Sequence, residues 1–409
     1  MFKKKRSDIN NVFTPRNPDV NKKMYIHRES LEKDLLRKVN GYKHIIIYGE
    51  SGCGKSWLFS KVLSEKKIDY SFINLAHVTR FGSITNVFEN QLAEEKEYEK
   101  VNYSDTTKAE ANAVIAKGNL EHQSTYKKMR VDPLREYLKV NKNKKIIVLD
   151  NLETIFKNQK YMEELGNILT LLDDSQYKVK FIIVGVPAGV IQYFGNTVLL
   201  KTVANRLTEL SEVRGLEQEQ VREFVKKGFI DELLVNISDD DLDDLSNHIY
   251  WVTNGIPQKI HEYCETLAYL IEDNKWEYVS DYKEIADKKW VKDSLHKNYL
   301  LISQMMNSNN TNVGRRNQVL YCLGKIGKNA FKVAEIEKIL RREFHITTVG
   351  KNLSLNLTLN EIVDWANSFI KKNGKAYIVT DSDYILCIRM MLIKNEREKI
   401  EKLDISQIN

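Results

Sequence analysis

The sequence predicts an α/β fold: a parallel sheet carrying a phosphate-binding loop, then a helical lid and a C-terminal winged-helix domain. Three observations predict it. The apolar run His44-Ile45-Ile46-Ile47-Tyr48 ends in the glycine-punctuated stretch Gly49-Glu50-Ser51-Gly52-Cys53-Gly54-Lys55-Ser56. Strand and helix patterns then alternate, which signals a parallel sheet. Beyond about residue 285, three helical stretches precede a strand-turn-strand pattern.

The glycine-punctuated stretch reads as a P-loop, the mark of a P-loop NTPase sheet. The apolar residues form a short buried strand, and the glycines let successive backbone N–H groups turn toward phosphate oxygens. A helix is expected to begin near Gly54, its unpaired N–H groups and dipole favouring an anion. Lys55 can reach the β- and γ-phosphates of ATP, and the Ser56 hydroxyl can ligate Mg²⁺. Gly49, Glu50, Ser51, Gly52, Cys53, Gly54, Lys55, Ser56 and Trp57 are therefore the candidate nucleotide-binding residues. Cys53 places a thiol in the cradle, so its modification is expected to block binding and ATP to protect it.

Length and composition bound the rest. A chain of 409 residues suggests two or three domains, and 42% apolar with 29% charged residues fits a soluble globular protein. No apolar run approaches the ~20 residues of a membrane helix. Met1-Phe2-Lys3-Lys4-Lys5-Arg6 leads into polar residues without an apolar signal region, so a cytoplasmic protein is expected. The cysteines Cys53, Cys264, Cys322 and Cys387 show no metal-ligand spacing and are expected to be free thiols. Of the net charge of +7, the segment from Thr311 to Lys394 carries 14 basic against 7 acidic residues, so the remainder is close to neutral.

Taken in order, residues 1–23 read as an extended basic lead-in, with Pro15 and Pro18 disfavouring helix. Residues 24–229 form the ATPase core. Its first helix carries Leu31, Leu35, Leu36 and Val39, and Ile26 and Arg28 are candidates for packing over an adenine. A second strand runs from Tyr70 to Leu75 and a helix from Ile84 to Leu92; residues 93–130 form a highly charged insertion. Ile146-Ile147-Val148-Leu149-Asp150 is a buried strand whose acid emerges at the carboxyl end, where open α/β sheets bind ligands. Asp150 is read as the Mg²⁺ ligand opposite Ser56, the Walker B acid. Asn151 follows it where many hydrolytic relatives carry Glu; the next acid is Glu153.

The strand Lys180 to Val184 ends in Gly185-Val186-Pro187, without the Asn, Thr or Arg of a γ-phosphate sensor. Slow hydrolysis is expected on both counts. Arg206 precedes a fifth strand and reads as exposed, either an arginine finger completing a neighbour's site or a surface ion-pair partner. The candidate catalytic set is thus Lys55, Asp150, Glu153 and Arg206, with Ser56 and Asp150 as metal ligands. Residues 230–284 form a helical lid, in which Thr253-Asn254-Gly255-Ile256-Pro257-Gln258-Lys259 turns into a helix started by Pro257. Lys259 either reaches the nucleotide or faces solvent.

Residues 285–396 contain helical stretches near Gln318–Lys325, Lys332–Phe344 and Leu357–Lys371, then strands at 375–380 and 384–389 around an Asp381-Ser382-Asp383 turn. Three helices and a hairpin make a winged helix. In this register Glu361, Asp364, Asp381 and Asp383 would face DNA phosphate. Positive charge gathers instead on Arg315, Arg316, Lys325, Lys328, Arg341, Arg342, Lys371, Lys372 and Lys375. DNA contact and a regulatory or oligomerising role both remain open. Residues 397–409 form a charged tail.

GESGCGKS, LDNLE, VGVP, NRL, TNGIPQK and the winged-helix pattern, in this order, resemble the AAA+ ATPases of the origin-recognition and Cdc6-like group. The likeness extends to their bacterial relatives of the STAND class and among transposition ATPases. The resemblance implies that Gly49 to Ser56 bind phosphate and Mg²⁺ and that Asp150 is the Walker B acid. It also implies that Arg206 is the trans-acting arginine and that Gly255-Ile256-Pro257 opens the sensor-2 helix. Gln258 stands where several relatives carry the sensor-2 arginine. The function this implies is a slowly hydrolysing ATP switch that forms a homo-oligomer or recruits a partner protein, with duplex DNA as a further partner through the winged helix. The alternative is a STAND-type signalling or defence ATPase whose winged helix regulates and binds no DNA. No membrane partner is expected.

Overall fold

A computed structural model of the protein describes residues 5–96, 133–140, 146–171, 179–185, 188–197, 200–307, 313–365 and 368–405. The chain divides into two compact units, His27–Arg214 and residues 1–26 together with 215–409. The charged insertion expected at 93–130 lies, from residue 97 onward, outside the described residues.

In the first unit, short apolar runs build a five-stranded parallel sheet in the order β2-β3-β4-β1-β5. The strands are β1 (His44–Tyr48), β2 (Tyr70–Asn74), β3 (Ile146–Asp150), β4 (Lys180–Gly185) and β5 (Leu207–Glu209). Ile45, Ile46 and Ile47 of β1 and Ile147, Val148 and Leu149 of β3 are buried, the continuous apolar pattern of strands covered on both faces. Each such side chain contributes about 1.5–3 kcal/mol of burial. Register places Tyr48 beside Gly185 and Asn74 beside Asp150, so β1, β3 and β4 finish on one edge. The Glu29–Asn40 helix packs beside this sheet, its last turn closed by Lys180, whose ammonium donates to the carbonyls of Lys38, Val39 and Gly41. The α/β class with a parallel P-loop sheet is therefore the architecture found.

In the second unit, helices Asp239–Thr253 and Pro257–Asp273 are joined by the Asn254-Gly255-Ile256 turn, and Pro257 occupies the first helical turn as expected. Helices Tyr282–Ser294 and His296–Met305 follow. Helix Arg315–Gly324, β6 (Ala330–Phe331), helices Val333–Glu343 and Leu355–Val363, β7 (Ile370–Asn373) and β8 (Ala376–Val379) come next. β6, β8 and β7 form an antiparallel sheet in that order.

The hairpin differs from the expected register. Its turn is Gly374-Lys375, where Gly374 takes the left-handed φ of 59° that a two-residue connection requires. Tyr384–Arg389 is not a strand but lies in a helix, Asp383–Met391. Tyr384 through Ile388, Met390 and Met391 are all buried, and a wholly apolar run has no alternation to separate strand from helix. The helix expected to reach Lys371 stops at Val363, since Ile370 and Lys371 already belong to β7.

Residues 1–23 also depart from a plain extended lead-in. Ile9–Val12 forms a short helix, and Ile9, Val12 and Phe13 are buried in the core of the second unit. The Phe13 ring lies 5.1 Å from that of Phe229 and 6.1 Å from that of Phe224, and a Cβ at Gly228 would meet it at 2.6 Å. The Thr14 N–H donates to His261 Nδ1 at 3.0 Å, and burial pushes the imidazole down to about 3, so His261 stays neutral. Phe13→Ala is expected to lower stability by about 3–5 kcal/mol, the cost of an aromatic-to-alanine core cavity. Denaturant unfolding checks this; a midpoint within error of wild type would show the segment to be ornamental.

Candidate nucleotide-binding site

The loop after β1 is shaped by its glycines. Gly49 has φ 153°, and a Cβ there would lie 2.1 Å from the Val213 carbonyl oxygen; the Val213 N–H in turn donates to the Tyr48 carbonyl at 2.9 Å. The 213 backbone thus closes against Gly49 and admits no side chain. Gly52 and Gly54 take left-handed φ values of 78° and 84°, which swing the chain into the Lys55–Glu65 helix. The first amides of that helix have no intrahelical partner and define an anion site at its mouth. Leu58, Phe59, Val62 and Leu63 are buried on one helix face, which fixes the position of that mouth. Glu50 and Trp57 are half-buried at either end of the loop, and Ser51 is exposed at its tip.

β4 separates the strands bearing the loop and Asp150, a span of about 10 Å at the usual strand spacing. The side chains close it: Ser56 Oγ donates to Asp150 Oδ2 at 3.3 Å. Asp150 Oδ1 accepts the Asn151 N–H at 2.8 Å. Lys55 is not ion-paired with Asp150. Its Nζ donates instead to the Gly49 and Glu50 carbonyls at 2.8 and 2.9 Å, lying across its own loop. Burial lowers the Lys55 pKa and raises that of Asp150, against the two hydrogen bonds that favour the carboxylate. A half-buried ammonium and a half-buried carboxylate therefore face one crevice, each short of neutralisation.

These donors suit a nucleotide and a hard cation. Among the described residues no group of three or more His, Cys, Asp and Glu gathers to hold a metal by itself. One hydroxyl and one carboxylate, with the rest of the shell from water and phosphate, is the donor set Mg²⁺ takes beside a triphosphate. The structure thus brings together Gly49 to Ser56 and Asp150.

Glu153 joins them. Asn151 takes φ 64°, and the turn Leu152–Thr154 folds back so that a Cβ on Gly185, the last residue of β4, would lie 3.1 Å from Glu153 Oε2. The Glu153 charge acts on both Lys55 and Asp150. Asn151 turns away: its Nδ2 donates to Asn74 Oδ1 at 2.8 Å, and Asn74 also accepts from the Ala76 N–H. Asn74 escaped the sequence reading, although an Asn closing a parallel strand beside the Walker B strand is the signal that marks it. Val186 and Pro187 lie outside the described residues.

Arg206 is half-buried rather than exposed, because its backbone sits at the sheet edge, where its carbonyl accepts the His44 N–H at 2.9 Å. It stands at the starting end of β5, paired in parallel with β1 through His44 and Leu207. The chain's own loop is at the far end of β1, about 17 Å away at the usual rise per residue. Lys259 does not face open solvent: its ammonium pairs with Asp383 at 3.1 Å and Glu262 at 3.6 Å, both within its own unit. Ile26 is buried in the second unit, and Arg28 donates to the Arg214 carbonyl at 3.0 Å.

Cys53 corrects an expectation. It is buried, with burial first and the Glu50 charge second pushing its thiol up to about 11, so it offers neither access nor thiolate at neutral pH. All four cysteines are buried free thiols. A thiol reagent is expected to label none of them rapidly in the native protein, and fast reaction of one thiol per chain, suppressed by ATP, would contradict this.

A second outcome follows from Asp150. A carboxyl whose pKa is raised on folding favours the folded state below the ordinary aspartate range, near 4, and loses that contribution as pH rises through the raised value. Asp150→Asn is therefore expected to raise the Tm of nucleotide-free protein at pH 7, with the gain shrinking as the pH falls toward the aspartate range. A lower Tm at pH 7 would show that the carboxylate is net stabilising.

No curated protein matches the chain. Similar solved structures include the Walker-type ATPase PABY2304 of Pyrococcus abyssi, with 14% identity, 89% of this chain and 96% of that one covered and a TM-score of 0.49. Others are the ORC2 protein of Aeropyrum pernix in its ADPNP–ADP complexes (11% identity, 92% and 97% covered, TM-score 0.47) and Cdc6p from Pyrobaculum aerophilum (13%, 94% and 98%, 0.46). The profile of a family described as an ATPase domain predominantly from Archaea matches residues 27–263, a span that holds the P-loop, Asp150, Glu153 and Arg206. With more than half of its length matched, the chain belongs to that ATPase family.

Proposed function

We propose that the protein is a slowly hydrolysing ATP switch of the AAA+ kind, akin to the origin-recognition and Cdc6-like group, that works as an oligomer and engages duplex DNA. The observation that carries it is the crevice where Lys55 and Ser56, on the mouth of one helix, meet Asp150 and Glu153 across β4. In this reading Lys55 leaves the Gly49 and Glu50 carbonyls for the β- and γ-phosphates, and the loop and helix amides hold the remaining oxygens. Ser56 and Asp150 hold Mg²⁺, which supplies charge neutralisation between the phosphates when bound. Glu153, beside the end of β4, orients the attacking water and accepts its proton. An acid three residues after Asp150 rather than next to it, with Asn151 bonded to Asn74, supports slow turnover. Cytoplasmic localisation belongs to the same reading; among the described residues, no helix is long and apolar enough to cross a membrane.

Arg206 supports the oligomer. Standing at the far end of the sheet from its own P-loop, it is suited to serve a neighbour's γ-phosphate. Lys55→Ala is expected to abolish ATP binding, and Glu153→Gln and Arg206→Ala to retain binding and lose at least tenfold in hydrolysis. Mixing Lys55→Ala with Arg206→Ala is expected to regain activity that neither has alone. A mixture as inactive as its parts would remove the shared site.

The helix-strand order of residues 315–379 supports a winged helix, and the observed hairpin register favours the DNA reading. The hairpin carries Lys371 and Lys372 on β7 and Lys375 at its turn, all exposed, where acids were first expected at the turn. Replacing all three by Ala is expected to weaken duplex binding and lower the slope of log affinity against log salt by about 2–3, the share of as many phosphate contacts. Wild-type protein whose ATP-dependent assembly occurs without any duplex binding would favour the STAND-type alternative.

A further inference from the structure

A second concave site lies within the 215–409 unit. It is a cavity of about 290 Å³ lined by Trp251, Tyr321, Lys325, Arg389, Ile393 and Lys394. Two aromatic rings and three cations share its wall. Trp251 is 39% exposed and Ile393 50%, large exposures for such side chains at a concave surface. The Lys325 ammonium stands 5.1 Å from the Tyr321 ring centroid and 5.7 Å from that of Trp251, and the Arg389 guanidinium covers Trp251 at 4.2 Å.

The charge around it does not balance. Lys325, Arg342 and Lys394 all reach the single carboxylate of Glu343, at 3.9, 3.1 and 3.5 Å. Arg389 has no carboxylate partner among the described residues; its donors go to the carbonyls of Gly324 and Trp251 and to Asn254 Oδ1. Gly324 ends one helix and Trp251 lies in the last turn of another, so helix dipoles offset part of the Arg389 charge. Burial still holds Arg389 down to about 10. A cation half removed from water without a counter-ion is costly, and an anion in the cavity would relieve it.

We propose that this cavity binds a mononucleotide-sized phosphate ester, its base against Trp251 and Tyr321 and its phosphate between Lys325 and Lys394. Arene walls hold a flat base by stacking, while Lys325, 3.9 Å from a carboxylate it shares, and Lys394, 3.5 Å from that carboxylate and donating to the Glu343 carbonyl at 2.9 Å, turn to the phosphate. The volume lies at the lower end of small-molecule sites, the size of one nucleotide. Arg389 links the site to Asn254, the first residue of the turn before Pro257, so occupancy is felt at that turn.

The test is calorimetric titration of the full chain carrying Lys55→Ala, which silences the P-loop, with AMP, adenosine and inorganic phosphate. One AMP per chain is expected, with adenosine and phosphate each at least tenfold weaker. Lys325→Ala, Lys394→Ala and Trp251→Leu are each expected to weaken AMP at least tenfold while leaving circular dichroism unchanged, and AMP is expected to quench a fluorescence component that Trp251→Leu removes. No heat with millimolar AMP, or AMP binding undiminished in Lys325→Ala and Trp251→Leu, overturns the proposal. Phosphate binding equal to AMP overturns the aromatic half of it. Loss of stability in the variants with no AMP effect assigns the cluster to packing alone.

Discussion

Two opposite charges, Lys55 and Asp150, face one crevice without neutralising each other, and the rest of the ATPase unit depends on that. Paired directly, they would fill the space a triphosphate and its metal need. Backbone geometry keeps them apart: β4 lies between their strands, and the left-handed Gly52 and Gly54 start the helix so that Lys55 bonds its own loop while Ser56 faces Asp150. The cost appears as opposed pKa shifts, the ammonium lowered and the carboxylate raised by burial. Perturbation of this kind in a cleft is the pattern that functional sites share.

Much of this was legible because the motif residues are the ones whose chemistry is constrained. Only glycine tolerates the Val213 carbonyl against Gly49, and the strand ending at Asp150 is apolar because both its faces are covered. What the pattern hid was long-range. Asn74, 77 residues from Asn151 in sequence, becomes its partner only through the β2–β3 register. Cys53 looks reactive in a loop and proves buried, since the loop's inner side packs against the unit. The first segment looked like a polar tail because three apolar side chains, Ile9, Val12 and Phe13, were diluted among charges.

The C-terminal hairpin shows how a register error inverts a functional argument. A strand at 384–389 placed Asp381 and Asp383 at the turn; moving the hairpin back to Ile370–Val379 places Lys375 at the turn and Lys371 and Lys372 on the strand leading into it. The same shift makes Asp383–Met391 a buried helix, which delivers Arg389 to Trp251 and creates the cationic aromatic cavity. Neither the basic hairpin nor the cavity was visible while Tyr384–Arg389 read as a strand.

In the proposed function the crevice holds ATP longer than it takes to bind it, with Glu153 in place of an acid adjacent to Asp150. The most direct measurement loads the protein with Mg²⁺ and radiolabelled ATP, separates the complex rapidly from free nucleotide, and follows the ratio of bound ATP to ADP after acid quench. One nucleotide per chain that remains mostly ATP for minutes, long after binding is complete, is the expected result. Bound nucleotide that is already ADP at the earliest time, or no retained nucleotide, would contradict it.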